Sequence, residues 1–212
     1  VSGMQSINLG VSDKDILEQY NLVWIITDYD IDVVRLPKFA EEITIETEAL
    51  IYNRLFCYRR FTIYDEAGQE IIRMVATFVL MDRDSRKVHP VEPEIVAPYQ
   101  SEFSKKLLRG PKYAELEEAI SKDYHVRFYD LDMNGHVNNS KYLDWVFEVM
   151  GADFLTNHIP KKINLKYVKE VRPGGMITSS YELNQLESNH QITSDGDINA
   201  QAKIIWQEIN TD

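Results

Sequence analysis

The sequence predicts an α+β protein made of two units, each containing an antiparallel sheet. In the first half, four successive segments rich in β-branched and aromatic residues are separated by turn residues, which is typical of strands. The second half contains one amphipathic helix among strand-like segments, and a helix packed on an antiparallel sheet is a stable α+β layer arrangement. The two halves also resemble each other weakly, because Arg35-Leu36-Pro37 and Val171-Arg172-Pro173 each precede a strand.

The first unit is expected at residues 1–100. A short helix should begin after Ser12, whose hydroxyl can form a capping box with Asp15. The strands are predicted at residues 22–34, 43–50, 55–64 and 71–81, and the turn before the last of them is Asp65-Glu66-Ala67-Gly68. If the halves are a repeat, this unit lacks its opening strand and most of its helix, of which residues 1–9 would be the tail.

Residues 101–121 have the charged, proline-bearing composition of a linker, with one short helix predicted near residues 113–120. The second unit follows at residues 122–212. Its helix is indicated by apolar residues at helical spacing that end before Gly151, namely Tyr142, Trp145, Val146, Val149 and Met150. Its strands are expected at residues 124–128, 163–171, 176–186, 190–193 and 200–207.

Composition excludes several classes of function. With 34 acidic and 23 basic side chains the chain has a net charge of -11, which disfavours nucleic acid and anionic membranes as partners. The longest apolar run, residues 74–81, is too short to span a bilayer. A lone Cys57 permits no intrachain disulfide, so we expect a cytoplasmic protein. No nucleotide-binding motif or spacing of metal ligands is present, so no cofactor or metal is expected.

The densest polar run, residues 130–139, lies between a strand and the start of the helix. Unpaired N–H groups and the helix dipole stabilise developing negative charge there. Asp132, Asn134 and His136 alternate, so in an extended segment their side chains would point to one side. A purely structural interpretation makes the run an N-cap, for which the candidates are Asn138, Asn139 and Ser140.

Residues 132–142, Asp-Met-Asn-Gly-His-Val-Asn-Asn-Ser-Lys-Tyr, continue to Trp145 and resemble the signature of acyl-[acyl carrier protein] thioesterases. The likeness extends over the whole chain, including Tyr167-Val168-Lys169-Glu170-Val171 after the helix. It implies two tandem hotdog domains, each a long helix wrapped by a curved antiparallel sheet, with the catalytic residues in the second.

The resemblance places Asp132, Asn134, His136 and Glu170 on the catalytic positions of that family. Val171 stands where the family often has a cysteine, so a cysteine nucleophile is not available at that position. Thioester hydrolysis needs a base for the attacking water, and either Glu170 or Asp132, with His136 as partner, is a candidate. Helix N–H groups and the Asn134 amide would stabilise the oxyanion. Direct attack by a carboxylate through an anhydride is a further alternative.

The expected function is therefore hydrolysis of fatty acyl-[acyl carrier protein] thioesters to free acid and holo-carrier protein. The alternatives are an acyl-CoA thioesterase, a hydratase of the same fold and a non-catalytic acyl-binding module. An acyl carrier protein is acidic, so basic clusters should receive it and its phosphopantetheine arm. The candidate clusters are Lys105, Lys106, Arg109 and Lys112, then Arg59 and Arg60, then Lys161, Lys162, Lys166 and Lys169. A homodimer is left open.

Overall fold

The computed structural model describes residues 2–132 and 135–209. The chain folds into two compact units, Val1–Gly110 and Pro111–Asp212. Within each unit the order of the paired strands can be followed.

Unit 1 places a mostly antiparallel sheet beside short helices. Its strand order is β6-β2-β3-β4-β1, with β5 paired to the end of β4, and β2 pairs with β6 in parallel. The elements are α1 (Ser2–Asn8), α2 (Asp13–Tyr20), β1 (Leu22–Val33), β2 (Thr44–Tyr52), β3 (Cys57–Tyr64), β4 (Glu70–Asp82), β5 (Val88–His89), α3 (Pro93–Val96) and β6 (Glu102–Phe103).

The local signals in unit 1 act as the sequence predicts. Ser12 accepts the N–H of Asp15 and donates its own N–H back to that carboxylate at 2.9 Å, so the capping box is confirmed. Gly68 closes the turn before β4 by donating its N–H to the carbonyl of Asp65 at 2.9 Å, in a left-handed conformation (φ 75°) that suits glycine. The buried core beneath α2 contains Ile16, Leu22, Leu80 and Ile95.

Unit 2 contains an antiparallel sheet in the order β8-β11-β10-β9-β7. Its elements are β7 (Ile120–His125), α4 (Asn139–Glu148), α5 (Ala152–Asn157), β8 (His158–Tyr167), β9 (Met176–Asn184), β10 (Glu187–Ser194) and β11 (Asp197–Glu208), and one turn of 3-10 helix at Phe128–Asp130 follows β7.

Helix α4 confirms the predicted amphipathic helix. It lies against β9 and β10, and its apolar face buries Tyr142, Trp145 and Val146. The hydroxyl of Ser179 in β9 donates to the carbonyl of Trp145 at 3.0 Å, which fixes the helix on the sheet. Helix α4 ends at Glu148, earlier than predicted, so Val149 and Met150 lie in the turn after it. Gly151 caps the start of α5, a helix that the sequence patterns did not predict.

The predicted helix in the linker is wrong. Residues 111–119 have no regular secondary structure, and the N–H groups of Glu117 and Glu118 donate to the carboxylate of Glu182 on β9. A helix of eight residues is marginal in water because nucleation is costly, so side-chain acceptors can bind its N–H groups instead. The strand predicted at residues 124–128 is β7, which starts earlier, at Ile120, and ends earlier, at His125. It ends there because the Asp130 carboxylate binds the N–H of Arg127 and the chain turns.

A polar chain crosses the core of unit 2. The indole N–H of Trp206 donates to the Ser188 hydroxyl at 2.7 Å, and that hydroxyl lies 2.7 Å from Nε2 of His190. The Ser188 hydroxyl thus links the indole to the imidazole, and Nδ1 of His190 is buried with no hydrogen-bond partner among the described residues. His190 is 2% exposed, and burial lowers its pKa to about 3. The imidazole is therefore neutral at physiological pH.

In the part of the chain that the structure describes, no helix is long and apolar enough to cross a membrane.

Candidate active site

The polar run before α4 forms a tight turn. Leu131 and Val137 make an antiparallel bridge, and between them the N–H of Asp132 donates to the carbonyl of His136 at 2.7 Å. Gly135 has a left-handed backbone (φ 79°), which explains glycine at this position. Asp132 and His136 therefore face each other across a turn rather than lying along one extended segment. Asn134, the third predicted residue of the run, lies outside the described residues.

The turn brings two predicted site residues together. Oδ1 of Asp132 accepts the main-chain N–H of His136 at 3.1 Å. Asp132 is half-buried and His136 is exposed, so the imidazole is accessible to a substrate. The Asp132 carboxylate thus shapes the turn that presents His136, a role that the sequence did not indicate.

Asp130 anchors this turn and is a residue that the sequence patterns did not single out. It is 1% exposed, and its carboxylate accepts the N–H of Arg127 at 2.7 Å and the guanidinium Nη2 at 3.0 Å. Burial favours the neutral acid, but the Arg127 hydrogen bonds and charge outweigh it and lower the pKa of Asp130. The carbonyl of Asp130 accepts the N–H of Asn138 at 2.8 Å, so both ends of the turn are held. The only sequence signal was an Asp three residues after Arg127.

Replacing Asp130 by alanine is expected to lower the free energy of unfolding by about 1–3 kcal/mol, because the buried carboxylate that accepts hydrogen bonds from the Arg127 N–H and guanidinium is lost. Asp130→Asn keeps an acceptor oxygen and should cost less. Urea denaturation of both variants at pH 7 measures the difference. Equal stability of Asp130→Ala and the wild type would show that this carboxylate does not anchor the turn.

Helix α4 is capped by Asn138, which lies in the polar run. Oδ1 of Asn138 accepts the N–H and the hydroxyl of Ser140, both at 3.0 Å. Asn138 is therefore the cap among the three candidates, and the capping interpretation of the motif is correct for this residue. This capping role of Asn138 is compatible with catalytic roles for Asp132 and His136.

The segment that carries Glu170 is fastened to the first turn of α4. The N–H of Val171 donates to Oη of Tyr142 at 3.2 Å, and Oη of Tyr167 donates to the carbonyl of Asn139 at 2.9 Å. The rings of Tyr142 and Tyr167 pack edge to face with centroids 5.1 Å apart. Glu170 itself is exposed. Burial raises the pKa of Tyr142, the hydrogen bond from the Val171 N–H opposes the rise, and the negative charge of Glu170 adds to it.

The site has no cysteine at position 171, which is a valine, and Cys57, the single cysteine of the sequence, does not supply a thiolate nucleophile. Val171 is 3% exposed and lies against Tyr142. Cys57 is in β3 of unit 1, where burial raises its pKa to about 12 although the charge of Arg59 opposes the rise. Among residues 2–132 and 135–209, no group of three or more His, Cys, Asp or Glu side chains is arranged to hold a metal ion.

Solved structures support the architecture. A protein described as an oleoyl thioesterase from Lactobacillus plantarum is 33% identical, with a TM-score of 0.92 over 98% of this chain and 84% of that one. The 12:0-ACP thioesterase from Umbellularia californica, at 20% identity and a TM-score of 0.85, shares the fold over 98% of this chain and 86% of its own.

Curated relatives include the chloroplastic oleoyl-acyl carrier protein thioesterase 2 of Arabidopsis thaliana, which is 26% identical over 77% of this chain and 48% of its own length. The chloroplastic palmitoyl-acyl carrier protein thioesterase of Gossypium hirsutum is 25% identical over 71% of this chain and 38% of its own. The chain thus spans about half or less of the length of these curated relatives. The model of the acyl-ACP thioesterase N-terminal domain matches residues 1–99, and that of the C-terminal domain matches residues 113–208. The chain belongs to the acyl-ACP thioesterase family.

Proposed function

We propose that this protein hydrolyses fatty acyl thioesters of an acyl carrier protein, releasing the fatty acid and the holo-carrier protein. Membership of the family supports the reaction. The observation that carries the assignment is the hydrogen bond from the Val171 N–H to Oη of Tyr142. It fastens the segment of Glu170 to helix α4, and the turn that holds Asp132 and His136 comes directly before that helix. Asp132 and His136 thus lie in the turn that leads into α4, and Glu170 lies in a segment that is hydrogen-bonded to the first turn of α4. These are three of the four predicted catalytic residues.

The proposed mechanism is attack by water on the thioester carbonyl. A carboxylate removes a proton from the water, the new carbon–oxygen bond forms, and the carbon–sulfur bond breaks to release the thiolate of the phosphopantetheine arm, which then takes up a proton. The Asp132 carboxylate already accepts a hydrogen bond from the main-chain N–H of His136 and so holds the turn. This favours Glu170 as the base. N–H groups near the helix start, with the Asn134 amide, would stabilise the oxyanion. Attack by the Glu170 carboxylate through an anhydride is the alternative.

We further propose that each unit is a hotdog domain. In unit 2, the packing of α4 against β9 and β10 of a five-stranded antiparallel sheet supports this. Unit 1 supplies a sheet of the same antiparallel kind around β1 and β4. A homodimer and a cytoplasmic location stay predictions of the sequence.

The test of the function is a panel of acyl carrier protein thioesters of graded chain length, assayed for released acid beside the CoA thioesters of the same chains. We expect a higher kcat/KM on the carrier protein for at least one chain length. A higher value on CoA throughout would favour the acyl-CoA thioesterase. Binding of acyl chains without release of acid from either carrier would favour the non-catalytic module.

We propose that the carrier protein docks on unit 1, at an open groove of about 290 Å³ next to the edge strand β6. The groove is lined mainly by apolar side chains. The remaining lining residues are two cationic ones, Arg54 and Lys105, and one asparagine. The apolar and amide lining residues are Leu55, Phe56, Phe103, Leu107 and Asn53. Phe103 is 59% exposed and Leu107 is 43% exposed, so apolar surface is available to a partner.

The charges at this groove support an acidic partner. We call Arg54, Lys105 and Lys106 the basic rim. Within the described ranges none of the three forms an ion pair, although acidic side chains outnumber basic ones in the chain by 34 to 23. In the competing cluster near Glu170, by contrast, Lys169 is paired with Asp197. Unpaired cations around an apolar floor suit a protein that presents carboxylates beside an apolar contact.

Reversing two charges of the rim, Lys105→Glu with Lys106→Glu, is expected to raise KM for the acyl carrier protein substrate roughly three- to tenfold. The salt dependence of kcat/KM should weaken as well, because the rim acts through long-range attraction. Turnover of a small acyl thioester without the protein carrier should stay the same.

The matched control is Arg83→Glu with Lys87→Glu, an equal change of charge at the exposed turn after β4. It should leave KM near the wild-type value. A rise in KM in the control as well, or only on reversal of Lys161 and Lys166, would refute docking at the rim.

A further inference from the structure

Asn199 occupies a special place in the sheet of unit 2. Across the β10–β11 pair, Ile192 faces Ala200 and Thr193 faces Ile198, so Asn199 is the extra residue of a β-bulge. A bulge interrupts the alternation of side chains and re-aims one of them. Asn199 is 1% exposed, so its polar side chain is directed into the protein.

The bulge residue binds the segment that follows β8. The main-chain carbonyl of Asn199 accepts the N–H groups of Val168 at 2.8 Å and Lys169 at 3.1 Å. Its side-chain Nδ2 donates to the carbonyls of Lys169 and Glu170, each at 3.3 Å. Four hydrogen bonds from one residue therefore hold residues 168–170, where β8 has ended at Tyr167.

The amide of Asn199 is oriented by a neighbour. The hydroxyl of Ser194 donates to Oδ1 at 2.8 Å, which identifies that atom as the acceptor and turns Nδ2 towards the two carbonyls. The same hairpin also contributes Asp197, whose carboxylate pairs with Lys169. The hairpin and α4 thus hold the Glu170 segment from two directions, the second through Tyr142.

We propose that Asn199 is a positioning residue for Glu170, an inference that rests on the proposed function. Glu170 is exposed and lies outside any strand or helix, so its main chain, which sets where the side chain starts, is placed by the hydrogen bonds to this segment. The Asn199 amide fixes the peptide groups on the N-terminal and C-terminal sides of the Glu170 α-carbon. A shift of about 1 Å in such a group can cost as much as about 10²-fold in rate.

The test is Asn199→Asp, which keeps the shape of the side chain but replaces the donor with an oxygen facing two carbonyls. We expect kcat on an acyl carrier protein thioester to fall about 10- to 100-fold, while KM changes little. Asn189→Asp, the same substitution in β10 of the same hairpin, is the matched control and should keep wild-type turnover.

The decisive measurement is a double-mutant cycle with Glu170→Gln. If Asn199 acts through Glu170, then Asn199→Asp has no further effect on kcat in the Glu170→Gln background. Multiplicative losses in the double variant would overturn the inference, as would wild-type kcat in Asn199→Asp. Glu170→Gln alone tests the proposed function, and wild-type turnover in that variant would count against the base assignment whatever Asn199→Asp does.

A milder variant covers the case in which Asn199→Asp does not fold. Ser194→Ala removes only the hydroxyl that orients the amide, so kcat should fall severalfold with the melting temperature close to that of the wild type. This loss should also vanish in the Glu170→Gln background. A loss that persists there would contradict the inference.

Discussion

Replacing His136 by alanine is expected to lower kcat for an acyl carrier protein thioester by about 10²–10⁴-fold, the range of a lost general acid–base partner. The imidazole is exposed, and the bond that holds the turn uses the main-chain N–H, which alanine retains. The melting temperature should therefore stay unchanged. Initial rates of acid release with saturating substrate, beside a thermal melt, measure both quantities.

Two variants of Asp132 separate its possible roles. Asp132→Asn keeps an acceptor for the N–H of His136 but removes the negative charge, whereas Asp132→Ala removes both. Similar large losses in both variants would assign the role to the charge. A large loss in alanine alone would assign it to the turn. Wild-type turnover in His136→Ala or in Asp132→Ala would contradict the assignment of this site.

Acid is expected to destabilise the fold through His190. Burial lowers its pKa from 6.5 to about 3, so the folded state holds the neutral form while the unfolded state binds a proton below pH 6.5. The stabilisation is complete above the unfolded pKa and is lost as the pH falls towards the folded one. The loss is about 1.4 kcal/mol per pH unit, or roughly 3 kcal/mol at pH 4. The ring contacts Ser188 and stacks on Tyr181, neither of which is charged at these pH values.

Urea denaturation between pH 4 and pH 7 tests this dependence. His190→Gln can still accept from Ser188, and the slope of its unfolding free energy against pH should be smaller by about one proton. His125→Gln, a change at an exposed histidine, should leave the slope as in the wild type. An unchanged slope in His190→Gln would mean that another group controls acid stability.

Periodic patterns made the main elements of this fold predictable. The i, i+3, i+4 spacing through Tyr142 and Trp145 predicted α4, and the Asp65–Gly68 turn predicted the hairpin before β4, since both signals are local. The linker helix failed because its N–H groups bind Glu182, a residue about 65 positions away that no local pattern reveals.

The sequence motif singled out candidate site residues but did not predict how they contact one another. It predicted catalytic roles for Asp132 and His136, and the structure shows a hydrogen bond from the main-chain N–H of His136 to the Asp132 carboxylate. The support from Asp130 and Asn199 depends on burial and on a bulge, and neither follows from residue spacing. Tertiary packing sets these contacts, so local sequence patterns do not reveal them.

The bulge at Asn199 also links the Glu170 segment to the opening of the sheet. The amides of Val168 and Lys169 lie beyond the end of β8 but are bound by the carbonyl of a buried strand residue, so they should be released to solvent only when the neighbouring hairpin separates. We therefore expect the segment of the proposed base to open together with the sheet rather than separately, as a surface loop would. Conditions that loosen the β10–β11 pair would abolish turnover before the protein unfolds as a whole.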